Sequence, residues 1–218
     1  MSRRTKSYND TPTLRIRPHK RVHQSVVSPA LLEQYMRSRQ ATPLDLTPAQ
    51  LRSQLDAFDR GWLAPLAKTM EQIKRLDDLL PTIAFKREVK PAVHGWEILT
   101  TESSPAATAH KEALEFFYNN VTAVNAVDED DSGEMSILLR QMMQAVGYGY
   151  ACHEMLWQDL GKGLTAEMRF VPLQFFERKT GRMRFCPGLY DYDGEPLEPG
   201  RWMITVGQGI MQACAIAY

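Results

Sequence analysis

The sequence predicts an α+β fold in which a helical N-terminal segment is followed by a small antiparallel sheet with helices packed on it. Three observations lead there. Helix-start signatures recur before residue 90. An apolar stripe at helical spacing, Met135, Leu138, Leu139, Met142, Met143 and Val146, runs into the glycines at 147 and 149. Beyond Trp157 the apolar residues alternate with polar ones. With 218 residues, 44% of them apolar, the chain is long enough to bury a sizeable core. The expected organisation is a basic flexible arm over residues 1–27, a helical segment over 28–90 and an α+β domain over 91–218.

Ser28-Pro29 opens the first helix, the serine placed to cap and the proline in the first turn, with Leu31, Leu32, Tyr35 and Met36 on its apolar side. Thr47-Pro48-Ala49-Gln50 is a capping box that starts a second helix carrying Leu51, Leu55 and Phe58. That helix ends at Asp59-Arg60-Gly61. A third helix with Leu63, Leu66, Ala67, Met70 and Ile73 follows, and the short turn predicts an antiparallel pair. Leu79 to Val89 reads as a further helix, its end marked by Lys86, Arg87 and Lys90 and broken by Pro91.

Gly95 to Thr100 is predicted as a short strand, and Ala109, Ala113, Leu114, Phe117 and Val121 mark the next helix. The acidic run Asp128-Glu129-Asp130-Asp131 lacks the glycine and the closing glutamate of a calcium loop. It is read as a solvated loop that charges the N-terminus of the Met135 helix. Tyr150 to Trp157 is a strand in which neither alternate set is purely polar, so both of its faces should meet protein. Met168 and Phe170, then Met183 and Phe185, are expected as the two limbs of a hairpin turning at Thr180-Gly181. Asp191 to Gly194 is a further turn, and Trp202 to Val206 the last strand. Residues 210–218 are an apolar element without a closing cap, and the expectation is a chain truncated at Tyr218, its last domain incomplete.

Lys plus Arg equal Asp plus Glu at 26 each, so net charge points to neither nucleic acid nor membrane. The distribution is uneven. Arg3, Arg4, Lys6, Arg15, Arg17, Lys20 and Arg21 face Asp10 alone within residues 1–27, which leaves a mildly acidic body. Tyr8 is the single aromatic residue among them, so there is no interleaved series to stack on bases in the way single-stranded nucleic-acid sites require. The three cysteines, Cys152, Cys186 and Cys214, are odd in number, form no CxxC and fit a reduced cytosolic compartment. No apolar run is long enough for a membrane span or a signal peptide.

Cys152-His153-Glu154 places a nucleophile, a base and an acid side by side. Neighbours on a strand point to opposite faces, so the reading is a buried cysteine beside a hydrogen-bonded histidine. A small cytosolic hydrolase using Cys152 or His153 is the alternative, and a nucleic-acid-binding module using the basic arm is another. Gly207-Gln208-Gly209 lacks the third glycine of a dinucleotide fingerprint and reads as a strand-to-helix turn. The five histidines form no cluster with metal-ligand spacing. No catalytic, cofactor-binding or metal residue is assigned, and no cofactor. Arg140, Arg169, Arg182 and Arg184 are weighed as subunit contacts against solvated faces and are not counted as site residues.

Taken in order, the segments LTPAQLRSQLDAFDRGWL, KREVKPAVHGWEILT, HKEALEFFYNNV, ILLRQMMQAVGYGYACHEMLW, RFVPLQFFE, TGRMRF and GEPLEPGRWMITVGQGIMQACAIAY resemble the N-terminal half of the Mu-like phage portal proteins. The resemblance covers about residues 44–218 and rests on many ordinary pieces in the right order. It implies a wing-like part of a structural subunit, in a homo-oligomeric ring, usually a dodecamer, at one vertex of the phage head. It implies the chain itself, the major capsid protein, the terminase and the neck proteins as partners, with DNA passing through the full-length ring and no membrane. The location implied is the virion, with assembly in the host cytoplasm. The resemblance also implies that the helices lining the channel and docking the terminase lie beyond Tyr218, and that an unsatisfied apolar surface lies at the C-terminal end.

Overall fold

The structure, a computed structural model, describes residues 23–39, 46–77, 79–188 and 191–217, the side chains of 214–217 excepted. The basic residues of the arm up to Arg21, the Cys214 side chain and the last turn of the C-terminal element lie outside the described residues.

Local chemistry accounts for the first elements. Helix α1, Pro29–Ser38, starts at Ser28, whose hydroxyl accepts from the Leu31 N–H (3.2 Å). Helix α2, Pro48–Asp59, has the reciprocal capping box: the Thr47 hydroxyl accepts from Gln50 N–H, and the Gln50 side chain accepts from Thr47 N–H (2.8 Å). Gly61, at φ +92°, turns the chain into α3, Ala64–Leu76, which packs on α2. Asp77 accepts from the N–H groups of Leu79 and Leu80 and so starts α4, Leu79–Ala92. Pro91 does not end this helix as expected. It sits in the last turn, and the helix runs one residue beyond it.

Helix α5, Pro105–Asn120, is capped by Ser104. Strand β1, Thr122–Asn125, and strand β2, Asp128–Gly133, then form a hairpin, so the acidic run is not a loop. Its low strand propensity is overridden by backbone pairing with β1. The Met135 stripe divides into α6, Met135–Met142, and α7, Gln144–Tyr148. Gly149 at φ +88° provides the expected left-handed cap.

Strand β3, Tyr150–Asp159, follows and is mostly buried along its length, as expected of a strand covered on both faces. Strand β4, Leu164–Val171, turns back on it through residues 160–163. This corrects the expected hairpin. Residues 164–171 pair with β3 in register Met155↔Met168, whereas β5, Phe176–Glu177, pairs with β6, Arg184–Phe185, around the predicted Thr180-Gly181 turn. Strand β7, Glu195–Pro196, completes that small antiparallel sheet. Strand β8, Trp202–Val206, lies antiparallel to β3, and α8, Ile210–Ala217, follows it.

The main sheet has the order β2-β1-β4-β3-β8 and is mixed, because β1 runs parallel to β4. The fold class is α+β as predicted, with this parallel pair as the departure from an all-antiparallel sheet. Alternation along the strands separates two apolar clusters. Cys152 and Val171 pack with Leu31, Leu63, Leu66 and Phe175, so the N-terminal helices and the sheet share one core. Ala123, Ala166 and Met168 pack with Leu138 of α6, and Phe117 of α5 lies against them. The sheet is therefore sandwiched between helical layers. No helix among the described residues is long and apolar enough to cross a membrane.

Candidate assembly surface

The Cys152-His153-Glu154 triplet sits in the middle of β3, and strand alternation puts His153 on the face opposite Cys152 and Glu154. Cys152 belongs to the cluster beneath the N-terminal helices. His153 packs its ring edge-on against Phe170, centroids 5.4 Å apart. Burial pushes the Cys152 thiol well above its ordinary range and lowers His153 to about 3. A neutral imidazole on one side of a sheet and a protonated thiol on the other do not make a nucleophile and its base. One expectation is corrected: both ring nitrogens of His153 are buried without a hydrogen-bond partner among the described residues. Cys186 is likewise buried and free, its thiol pushed up to about 11 by burial and by the Glu177 charge.

Glu154 is the member of the triplet that does structural work. Wholly buried, it accepts from Ser25 Oγ (2.6 Å), from the Val26 N–H (2.8 Å) and from Arg201 Nε (3.3 Å). Arg201 also donates to Glu198 (2.8 Å) and to the Gln24 carbonyl. Burial draws the Arg201 pKa down, but hydrogen bonds and charge from Glu198 and Glu154 outweigh it, so the net shift is upward. Residues 24–27 are thereby fastened to the sheet, and Val27 is buried. The signal in the sequence was a carboxylate in a strand expected to be covered on both faces. Its partners, more than a hundred residues earlier and some forty later, gave none.

The arginines weighed as subunit contacts are largely spent inside the chain. Arg140 pairs with Asp131, Arg169 with Glu167 (3.2 Å) and Arg184 with the buried Glu177 (3.5 Å), while Arg182 is exposed. Glu177 also accepts from the Lys179 N–H (2.7 Å) and anchors the β5–β6 turn. A cleft of about 380 Å³ beside α3 is lined by Tyr35, Arg39, Glu71, Arg75 and Tyr148. Its Glu71 is already engaged by Tyr35 Oη (2.9 Å) and Arg39 (3.0 Å), so the cleft reads as a joint between helices. Gly207 donates to the Gly149 carbonyl (2.8 Å), and a side chain there would strike the Ala145 carbonyl. The Gly207-Gln208-Gly209 turn is a close crossing of backbones.

The unusual surface lies elsewhere. Helices α4 and α5 contain no fully buried residue, although α4 packs on α3, α6 and α7 and is pinned by the Lys74–Glu88 ion pair (3.1 Å). Between them the predicted strand Gly95–Thr100 is not a strand. It pairs with nothing among the described residues, and Trp96 rests edge-on against Tyr118 of α5. Phe85 is 56% exposed, Val93 72% and Leu99 79%. Apolar groups at that level of exposure, grouped along one stretch, are what a protein–protein contact uses. The expected apolar surface at the C-terminal end falls largely on side chains outside those described. The one on view lies on α4 and the stretch after it.

Residues 67–218, which hold this surface and both sheets, match the family model described as the portal protein of Mu bacteriophage. No curated protein matches the chain.

Proposed function

The chain belongs to the family of Mu bacteriophage portal proteins, and from that membership we propose that it is a structural subunit of a homo-oligomeric ring, a dodecamer, at the vertex of the phage head. In this reading the ring aligns a channel through which DNA is packaged and later ejected. The terminase supplies ATP hydrolysis, and the major capsid protein and neck proteins dock on the ring. The chain's own role is mechanical and is carried out in the virion after assembly in the host cytoplasm.

The observation that carries the reading is the family match over the greater part of the chain. The exposed apolar row on α4 and 93–100 supports it, because a ring subunit must leave uncovered what its neighbours will cover. The separation of Cys152 from His153 removes the main support for a hydrolase.

The test is the mass in solution of the full product of the reading frame, by sedimentation and by electron microscopy of the particles. A ring with a central channel is expected. A monomer at every concentration would overturn the proposal.

A further inference from the structure

We propose that the basic second half of α4 and the stretch 93–100 of one subunit receive the acidic edge strand β2 of the next copy, head to tail. The inference rests on the ring reading above and names the two surfaces that meet.

The acceptor side is defined by what it lacks. Trp96, Glu97, Ile98, Leu99 and Thr100 are strand-forming in composition, yet none of the N–H groups of 95–100 bonds to another backbone group among the described residues. Just before them, Lys86, Arg87 and Lys90 are exposed on α4, and none is paired with a carboxylate among the described residues. Glu88, the acid among them, is taken by Lys74. Glu97 is the one carboxylate between Val89 and Thr101.

The donor side is complementary. Strand β2 stands at the edge of the main sheet with β1 on one side and, among the described residues, no strand on the other. Asp128, Glu129 and Asp130 are exposed and form no ion pair among the described residues, whereas Asp131 is held by Arg140. A segment of strand-forming composition and an open strand edge are the two halves of an added-strand contact. Each copy carries both halves, and no ion pair joins them within the chain among the described residues.

Charge decides which halves meet. Three consecutive acids on an edge prevent that edge from pairing with its own copy, since like charges placed opposite one another are destabilising. The same acids favour the Lys86, Arg87 and Lys90 surface, which directs association toward a heterologous contact and away from a two-fold dimer. Heterologous contacts are the kind that close into rings. The contact would also cover Val93 and Leu99, which stay largely exposed among the described residues.

The experiment is a charge exchange on the full product of the reading frame, read as mass in solution at low and high salt, with circular dichroism to verify folding. Lys86→Glu, Arg87→Glu and Lys90→Glu together are expected to abolish the ring, and Asp128→Lys, Glu129→Lys and Asp130→Lys together to do the same. All six in one chain are expected to restore it, because the pairing is then reversed on both sides. Assembly of the wild type that survives either set of three would overturn this inference and leave the ring reading intact. So would loss in both sets without rescue, or loss of binding to a capsid or neck protein with the ring preserved. A wild type that never assembles would instead remove the ring reading itself, and this contact with it.

Discussion

Arg201 and Glu154 meet at 3.3 Å where β8 begins beside β3, and the same guanidinium reaches the carbonyl of Gln24, so one ion pair ties the strand pair to the N-terminal lead. The carboxylate is wholly buried, with Ser25 and Val26 as its other donors. Replacing Glu154 by Ala leaves Arg201 and two further donors without their acceptor and is expected to cost about 3 kcal/mol. Glu154→Gln, which keeps an acceptor for Val26, is expected to lose roughly half as much. Urea denaturation of both variants measures this, and a wild-type midpoint for Glu154→Ala would show that the lead is not anchored here.

His153 makes stability fall with acid. Its pKa is about 3 in the folded chain against an ordinary value near 6.5, so the unfolded chain binds the extra proton between those values. The contribution is fully present above pH 6.5, begins to fall below it and is gone near pH 3. Over the whole window it is on the order of a few kcal/mol. The clean interval is pH 6.5 to 5, before the bulk of the carboxylates titrate. His153→Phe, which keeps a ring against Phe170, should flatten the slope there, and an unchanged slope would assign it to another group.

Cys152 and Cys186 should be slow to react. Both are buried, and burial holds both thiols protonated at neutral pH. In a Cys214→Ser background a disulfide reagent is expected to label the remaining two thiols at the rate of unfolding. Labelling of Cys152 faster than that would reopen the question of a reactive thiol on β3.

Gly61 has φ +92°, and a side chain there would lie 2.4 Å from the carbonyl carbon of Arg178. Its own carbonyl accepts from the Arg178 N–H (2.7 Å), and the next residue, Trp62, bridges to Glu177. The α2–α3 turn is thus held against the small sheet with no space between them. Gly61→Ala is expected to cost about 2 kcal/mol or more, seen as a lowered melting temperature. A wild-type melt would mean that this turn can move away from β5.

What could be read from the chain was what neighbours in sequence decide. The Thr47–Gln50 box, the Ser28 cap and the Gly149 turn each depend on residues within four positions, and the Cβ alternation of β3 depends on nothing else. Pairing is decided at long range, and there the reading failed. Residues 164–171 were expected to pair with the Met183–Phe185 limb and took β3 instead. Asp128–Gly133 has little strand propensity and became a strand because β1 lies beside it. Gly95–Thr100 shows the converse, with strand-forming residues and no strand partner among the described residues. The Glu154 anchor was visible as a residue and invisible as a site, because its donors come from both ends of the sequence.

The parallel pairing of β1 with β4 bears on the order in which the chain folds. Strands β3 and β4 are joined by residues 160–163 and can close as soon as both exist, whereas Thr122 must wait for Glu167, about forty-five positions later, and for everything in between to be placed. Until then β4 has an unfilled side and Ala123 has no cover. Docking of the β1–β2 hairpin on the sheet therefore waits on β4, and a subunit does not acquire its acidic edge in final position until β4 is placed.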